Sequence, residues 1–249
     1  MANCVIHPIP VFEGRGDRST MTYMANFGVE ATVIGYIWYI EGLKEKVLVD
    51  AGCDVSRFRS KSIKARQIQT LDAGLSKFGL SPDDIDTLII THLHHDHIGW
   101  IDRFPKARIL VQKDELEFAK NPHPAVAFMY HKEQFEGIKF DVLNGDTKIY
   151  QEISVLSTPG HTPGTQSVSI KTAKGIAIIA GFCSFRENFE VPPVETTNML
   201  GTRELRPILT PGEHVNLFQA HDSVVRVKEM ADIVIPLHDP EFLQKDSIP

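Results

Sequence analysis

The sequence predicts an α/β (α+β) protein in which two β-sheets pack together and helices cover them. Three observations lead to this class. Short apolar runs typical of buried strands form two sets along the chain, an amphipathic helical stretch interrupts the first set, and a longer one follows the second. The 249 residues are many for one domain but suit a single sandwich, so we expect one domain over residues 1–249.

The first set of predicted strands covers residues 33–40, 46–50 and 87–91. Between the last two strands, an apolar stripe at helical spacing ends before Gly79. The stripe consists of Ile68, Leu71, Leu75 and Phe78. The following Ser81-Pro82-Asp83-Asp84 predicts a second helix start, because serine caps a helix, proline fits its first turn and acids favour its N-terminus.

The second set of predicted strands is followed by a long helix. The strands are expected near residues 109–112, 139–143, 153–157, 167–171 and 175–180, with a last one at 232–236. The helix is predicted over about residues 213–230 from its apolar positions, which include Val215, Phe218, Val225 and Met230.

Composition and charge exclude several classes of partner. The formal net charge is -6 and the isoelectric point is near 6.0, so the chain lacks the basic surface of nucleic-acid-binding proteins. The chain contains no basic amphipathic stretch of the kind that binds a membrane surface. The N-terminus has no signal-like apolar segment, and the three cysteines, at positions 4, 53 and 183, form no disulfide framework. We therefore predict a cytoplasmic protein.

The most informative motif is Thr-His-Leu-His-His-Asp-His-Ile-Gly at residues 91–99, which contains four of the 11 histidines of the chain. A loop after an apolar strand can direct several side chains at one point. Imidazoles and a carboxylate at this spacing suit zinc, with iron or manganese as alternatives. The other interpretation is a polar loop whose histidines pair with carboxylates, which is disfavoured when so many histidines follow one strand.

Two other predicted strands each run into a histidine. The strand at 153–157 is followed by Thr-Pro-Gly-His-Thr-Pro-Gly, which contains His161, and the strand at 232–236 is followed by Leu-His-Asp, which contains His238. Prolines and glycines favour a tight loop around His161. Either histidine alone would be an ordinary surface or core residue. Because the chain already contains a metal motif, both are predicted ligands.

These motifs resemble the metallo-β-lactamase superfamily of hydrolases, whose signature is His-x-His-x-Asp-His. The resemblance is closest to the N-acyl-homoserine lactone lactonase branch, and it extends to residues 158–167, 186–190 and 49–52. In the family, the last of these segments supports the metal loop from beneath. The resemblance implies a four-layer αββα sandwich with the metals along one edge of the two sheets.

The resemblance also implies two divalent transition-metal ions, zinc by preference. The first ion would be held by His92, His94 and His161, and the second by Asp96, His97 and His238. His95 has no ligand role in the pattern, so we expect it to be structural or to face solvent.

The chain departs from this branch where the family has an aspartate that bridges both metals. After the predicted strand at 175–180 it continues Gly-Phe-Cys-Ser-Phe, without an aspartate. Cys183 stands at this place or next to it, and a deprotonated thiol binds zinc well. We expect Cys183 to be a metal ligand, which could leave the second metal site weak. The alternative is a buried cysteine that acts as an apolar residue.

A second departure concerns the substrate. In the lactonases, a tyrosine two or three residues after the bridging aspartate assists the substrate carbonyl, whereas Phe185 here has no hydroxyl. Tyr23 or Tyr130 could replace it, or either could serve in packing alone. Residues 14–30 and 121–137 are candidate walls of an apolar acyl pocket, or parts of a homodimer contact, and local packing is the alternative. Residues 192–211 are a third candidate, for a loop at the rim of the pocket.

The sequence thus predicts a metal-dependent hydrolase that opens a lactone or related ester, a small-molecule substrate, with water that the metals activate. Asp96 would bind metal and carry a proton to the leaving group. Glyoxalase II-like thioester hydrolysis uses the same ligands and is the first alternative. A di-iron oxidase of the same superfamily is disfavoured, because the pattern of those proteins has Glu where this chain has His94. A non-catalytic metal-binding protein is the alternative outside enzymes.

Overall fold

The structure, a computed structural model, describes residues 3–58, 64–191 and 208–249. Within these residues the first sheet has seven strands in the order β4-β1-β2-β3-β5-β6-β7. Their bounds are β1 Val5–Asp17, β2 Glu30–Glu41, β3 Val47–Val49, β4 Lys64–Gln67, β5 Thr87–Ile89, β6 Arg108–Gln112 and β7 Phe140–Leu143. The strands β3, β5, β6 and β7 are parallel, so their carboxyl ends share one edge of the sheet.

The second sheet has five strands among the described residues, in the order β12-β11-β10-β9-β8. Their bounds are β8 Thr147–Lys148, β9 Ile153–Ser157, β10 Gln166–Thr172, β11 Gly175–Ile179 and β12 Ile233–Ile235. The neighbours from β8 to β11 are antiparallel, whereas β12 runs parallel to β11. The strands β11 and β12 therefore end at the same edge of this sheet.

The described α-helices are short except for the last one. They are α1 Leu71–Ser76, α2 His95–Ile98, α3 Lys113–Lys120, α4 Lys132–Phe135 and α5 Leu217–Met230. Thr70 caps α1 by accepting a hydrogen bond from the backbone of Ala73, and Asn216 caps α5 by accepting from the first turn. Within the part of the chain that the structure describes, no helix is long and apolar enough to cross a membrane.

Alternation along β2 shows how the layers form. Tyr36, Trp38 and Ile40 face the second sheet, where they share an apolar core with residues of β9, β10 and β11. Ile37 and Tyr39 point the other way and pack with α1 in a second core. A third core lies between the outer face of the second sheet and α5. The order helix, sheet, sheet, helix confirms the predicted αββα sandwich.

Hydrogen bonds tie the two sheets together at the edge where the histidine loops lie. The backbone N–H of Gln166, at the start of β10, donates to the Thr91 carbonyl over 3.0 Å. The Gln166 side chain donates to the Ile90 carbonyl over 2.6 Å. Because Thr91 directly precedes the histidine motif, these bonds fix the loop after β5 relative to the second sheet.

All nine predicted strands are present in the structure, whereas β1, β4, β8 and α3 were not predicted. The strand β1, which is the longest, was missed because Pro8 and Pro10 are unfavourable within sheets. The sheet tolerates them because β4 pairs with β1 only from Phe12 to Arg15, and a bulge follows Pro10. At Pro8 and Pro10, the edge of β1 that faces away from β2 therefore has no neighbouring strand to which a backbone N–H would have to donate.

Three further differences concern the predicted helices. The predicted stripe from Ile68 to Phe78 forms a helix only over Leu71–Ser76, and the helix start at Ser81 is a single 3-10 turn over Pro82–Asp84. The predicted helix at 213–230 begins at Leu217, so its first four predicted residues form a loop. Of the three candidate pocket segments, residues 192–207 lie outside the described residues.

Candidate metal centre

The structure brings six of the seven predicted ligands into two groups of three. One group is His92, His94 and His161, and the other is Asp96, His97 and His238. Within each group, the candidate ligand atoms all lie within 4.8 Å of one another. The five histidines are buried, and Asp96 is partly buried.

Hydrogen bonds to Nδ1 orient three of the rings. His161 Nδ1 donates to the Glu213 carbonyl over 2.8 Å, and His238 Nδ1 donates to the Ile34 carbonyl over 3.0 Å. His97 Nδ1 lies 2.8 Å from Asp50 Oδ2. Bonds of this kind fix the tautomer and leave Nε2 as the atom that can bind a metal.

His92 and His161 face each other through Nε2, over 3.2 Å. Burial and the neighbouring imidazoles hold the pKa of His92 well below its usual range, and burial lowers the pKa of His161 to about 4. Both rings are therefore neutral near pH 7. Since His161 carries its proton on Nδ1, its Nε2 lone pair points at His92. Converging imidazole nitrogens suit a transition-metal ion.

Asp50 supports the second group from beneath. Its carboxylate accepts hydrogen bonds from the Thr91 backbone over 2.8 Å and from the Thr91 hydroxyl over 2.9 Å, in addition to its contact with His97. The residue is fully buried and has a φ of 61°, a left-handed conformation that aspartate and asparagine adopt more readily than most residues. The strand β3 thus delivers a carboxylate directly under the histidine motif.

Asp96 supplies the clearest sign that a cation fits here. Its Oδ1 is buried with no hydrogen-bond partner among the described residues, and its Oδ2 lies 3.3 Å from His97 Nε2. Although burial lowers the pKa of His97, Asp96 and Asp50 raise it overall to about 10. The space between these groups therefore favours positive charge. The donor set of imidazoles and one carboxylate fits two divalent transition-metal ions.

Glu115, which the sequence did not single out, joins the two loops that carry the first group. Its carboxylate accepts hydrogen bonds from the Leu93 N–H over 2.8 Å, from the Thr162 hydroxyl and from the Gly164 N–H over 3.3 Å. Leu93 lies between His92 and His94, and Thr162 follows His161. One buried carboxylate on α3 thus sets the distance between two ligand loops. Its pKa is raised by burial.

Two glycines let the loop of His161 pass close to other elements, as predicted from its prolines and glycines. A Cβ at Gly160 would lie 2.2 Å from the backbone nitrogen of Ala220 in α5, and a Cβ at Gly164 would lie 2.1 Å from the backbone nitrogen of Glu115. Gly160 also has a φ of +129°. Glycine is required at both positions because no side chain fits.

Cys183, the seventh predicted ligand, lies outside both groups. Its sulfur contacts Met21 Sδ over 3.4 Å and Glu213 Oε2 over 3.9 Å. Burial, with Glu213 and Asp96 nearby, raises the pKa of its thiol well above the usual range. Gly181, the second residue after β11, has no room for a side chain, because a Cβ there would lie 1.7 Å from the Gln166 carbonyl oxygen.

Glu213 is the second carboxylate that sequence reasoning missed. It lies in the loop before α5, partly buried, and lines the cavity with Asp96, Cys183 and His238. Withdrawal from solvent and the nearby Asp96 carboxylate raise the pKa of Glu213 to about 7. Its position next to the ligands, 52 residues from His161, could not be read from the sequence.

An apolar cavity of about 320 Å³ opens above the second group. Its walls come from β1 and the segment after it, from Phe58, and from the predicted segment 121–137, which forms two short helical turns. The apolar wall residues are Phe12, Met21, Val33, Phe58, Phe128 and Met129. Arg15 adds one positive charge to the wall. His95 also lines this cavity, stacked on His131 at 4.5 Å between ring centroids, so it is a wall residue.

The three aromatic residues considered for the substrate carbonyl do not line this cavity. Phe185 is buried and packs with Met21, Ala31 and Cys183. The Tyr130 hydroxyl points at Glu115 Oε1, 3.5 Å away, while its ring packs on His94. Tyr23 packs on His214 and lines a different cavity.

Comparison with known proteins agrees with this geometry. The metallo-beta-lactamase superfamily profile matches residues 32–222, which is more than half of the chain and includes every histidine of the two groups except His238. The chain belongs to the metallo-β-lactamase superfamily. The resemblance inferred from the histidine motif is confirmed, and the matched segment contains both sheets except for β1 and β12.

Individual members of the superfamily align over much of the chain. An N-acyl homoserine lactonase from Bacillus cereus is 26% identical over 193 residues, which cover 70% of this chain and 74% of that protein. The N-acyl homoserine lactonase AttM from Rhizobium radiobacter is 34% identical over 105 residues, 39% of this chain and 40% of that protein. A crystal structure of an N-acyl homoserine lactone hydrolase, with N-hexanoyl-L-homoserine bound at its catalytic metal centre, superposes with a TM-score of 0.77 at 25% identity, covering 97% and 95% of the two chains.

Proposed function

We propose that this protein hydrolyses lactones of the N-acyl homoserine lactone class at a centre of two divalent transition-metal ions, zinc by preference. The observation that carries the proposal is the pair of three-residue groups, of which the second, with Asp96 and His238, lines an apolar cavity. The lactonase relatives, one of which has the product of this reaction at its metal centre, support the choice of substrate.

The proposed ligands are the residues of the two groups, His92, His94 and His161 for one ion and Asp96, His97 and His238 for the other. When bound, such ions lower the pKa of water and polarise a carbonyl group. The protein contributes ring orientation through the hydrogen bonds to Nδ1, and it holds Asp50 and Glu115 behind the ligands.

The remaining chemistry belongs to the protein itself. The wall of Phe12, Met21 and Phe128 suits an acyl tail, because the burial of each methylene contributes about 0.8 kcal/mol. The lactone ring would then lie over Asp96 and His238. Asp96, whose Oδ1 has no hydrogen-bond partner among the described residues, accepts the proton of the attacking water and donates it to the ring oxygen as the C–O bond breaks. The product is the ring-opened hydroxy acid.

The test is a panel of zinc-loaded protein against short- and long-chain N-acyl homoserine lactones, a simple ester and a thioester. We expect kcat/KM to be highest for a lactone with an acyl tail. The double variant His92→Ala/His94→Ala should lose both bound metal and activity, while His221→Gln on α5 serves as a histidine control that keeps them. If only the thioester is cleaved, the activity is glyoxalase II-like and the lactonase proposal is wrong. If wild-type protein binds no metal, the proposed metal centre is wrong.

A further inference from the structure

We propose that Glu213 is a metal ligand of this centre, supplied from the loop before α5 in place of the carboxylate that the end of β11 does not provide. The inference rests on the proposed metal centre but goes beyond it, because Glu213 belongs to neither group of three. It would make the loop before α5 a fourth source of ligands, in addition to the loops after β5, β9 and β12.

Glu213 lines two cavities, each of which it shares with ligands of one group. It lines the apolar cavity together with Asp96 and His238, which belong to one group. It also lines a neighbouring cavity together with His94 and His161, which belong to the other. A carboxylate has two oxygens that both accept cations, so one side chain at this place can serve either ion or both.

The backbone holds Glu213 in this position. Its N–H donates to the Thr20 carbonyl over 2.7 Å, and its carbonyl accepts from His161 Nδ1 over 2.8 Å. The residue therefore orients one ligand ring and carries its own carboxylate beside the centre. Because α5 begins only at Leu217, after the cap Asn216, the loop is free to follow the edge of the sandwich.

The Glu213 carboxylate has no basic partner in the described part of the chain, where no ion pair includes it. The carboxylate accepts a hydrogen bond from the Cys183 thiol, whose sulfur lies 3.9 Å from Oε2. A carboxylate withdrawn from water is costly without a cation or donors. Two divalent ions would bring four positive charges, against which Asp96 and Asp50 supply two negative ones, so a further carboxylate improves the charge balance.

The residues after β11 cannot fill this role equally well. Gly181 has no room for a side chain, and Phe182 is buried in the core beneath α5. The Ser184 hydroxyl accepts a hydrogen bond from the Leu237 N–H over 3.3 Å. Cys183 does face the cavity, and its thiol acts as a donor toward Glu213; like Glu213, it belongs to neither ligand group, so the experiment compares the two residues directly.

The experiment compares metal binding by full-length wild-type protein and four variants loaded with Co²⁺ or Zn²⁺. The variants are Glu213→Gln, Glu213→Asp, Cys183→Ser and, as a matched control, Glu229→Gln, which changes an exposed glutamate of α5. Bound metal per chain is measured by elemental analysis, affinity by competition with a chelator, and ligation by the visible spectrum of the Co²⁺ protein. Thermal unfolding checks that each variant is folded.

We expect Glu213→Gln to bind the more weakly held ion about 10- to 100-fold less tightly than wild type and to change the Co²⁺ spectrum. Glu213→Asp, which keeps the charge, should recover part of this loss. Cys183→Ser and Glu229→Gln should match wild type, and the Co²⁺ spectrum should lack a sulfur charge-transfer band.

Three results would overturn the inference. If Glu213→Gln binds both ions as wild type does, Glu213 is not a ligand, even if activity falls. If Cys183→Ser instead loses an ion and a sulfur band that wild type shows, the thiolate provides the missing ligand. If wild type binds no metal at all, the metal centre itself is wrong, which distinguishes that failure from the first two.

Discussion

Three of the five histidine rings of this centre are held individually, each by the partner of its Nδ1 atom. These partners are of different kinds: backbone carbonyls for His161 and His238, and the buried Asp50 for His97. The carboxylate is the strongest acceptor of the three, and it also binds the Thr91 backbone and hydroxyl. Loss of its charge should therefore affect both the His97 ring and the start of the histidine motif.

We predict that Asp50→Asn lowers the affinity for one of the two ions by about 10- to 100-fold, because the orientation and basicity of His97 depend on this carboxylate. Asparagine tolerates the left-handed backbone at position 50, so the substitution tests the charge and not the turn. Metal competition measurements check the prediction, with the exposed Asp222→Asn on α5 as control. Equal affinity in both variants would show that Asp50 serves only the backbone of Thr91.

We predict that Phe185→Tyr does not increase lactonase activity and destabilises the protein by about 1–3 kcal/mol, because a hydroxyl added at this buried position would lack a ready partner. Phe185 packs with Met21 and Cys183 and does not line the cavity. Thermal unfolding and kcat/KM test this, with Phe218→Tyr as a control at an exposed phenylalanine that does not line the cavity. A tenfold gain in kcat/KM for Phe185→Tyr would place the ring at the reaction after all.

At the scale of elements, every ligand of the two groups of three lies just after a strand, where loops from both sheets meet. The loop after β5 carries four of the ligands, and the loops after β9 and β12 carry His161 and His238. Such loops keep their geometry only if neighbouring elements hold them. The helix α3 does so through Glu115, which accepts hydrogen bonds from both the His92 loop and the His161 loop.

We predict that Glu115→Gln lowers the free energy of unfolding by about 1–3 kcal/mol. The substitution replaces one carboxylate oxygen with an NH₂ group, which is a donor and cannot accept the hydrogen bonds that the N–H and O–H groups donate to Glu115. The two ligand loops should also separate, so metal affinity should fall with stability. Denaturant unfolding and metal competition measure the two effects. Glu117→Gln, in the same helix but exposed, should change stability by less than about 1 kcal/mol.

Most strands could be predicted because their apolar runs are local and bounded by polar or turn residues. The strand at 153–157 matches to the residue, and that at 87–91 differs by two. The helices α1 and α5 were predicted too long, since a few apolar residues beyond each end continue the periodicity without continuing the hydrogen bonds. At α5 the difference matters, because it turns Glu213 from a helical residue into a loop residue beside the cavity.

At the scale of the whole molecule, the centre joins the two halves of the sandwich. Its ligands come from loops of the first sheet and from loops of the second, so a bound ion links layers that otherwise meet through the apolar core and a few hydrogen bonds such as that from Gln166 to Thr91. A ligand that binds only the folded state stabilises it by mass action.

We predict that chelation of the metals abolishes lactone hydrolysis and lowers Tm by about 5–10 °C. At a free metal concentration 100 times Kd, bound metal stabilises the folded state by about 2.7 kcal/mol, and chelation removes this stabilisation. Zinc added back should restore both. Scanning calorimetry with and without chelator measures the shift. The double variant His92→Ala/His94→Ala is the control, because its Tm should respond far less to zinc; an equal response would place the stabilising ion elsewhere.

The sequence by itself determined the fold class, the superfamily and six residues that the structure gathers, because strand patterns and the histidine motif are properties of short segments. Only the tertiary structure showed what surrounds them. Glu115 and Glu213 resemble ordinary surface carboxylates in the sequence, and they contact the two ligand loops across 22 and 52 residues of chain. The segment 49–52 was singled out by the family resemblance alone, and the structure shows that its Asp50 contacts His97. The direction of the Cys183 sulfur and the lack of space at Gly181 were likewise invisible in the sequence. Such contacts depend on which loops the two sheets bring to a common edge, and packing of the whole sandwich decides that.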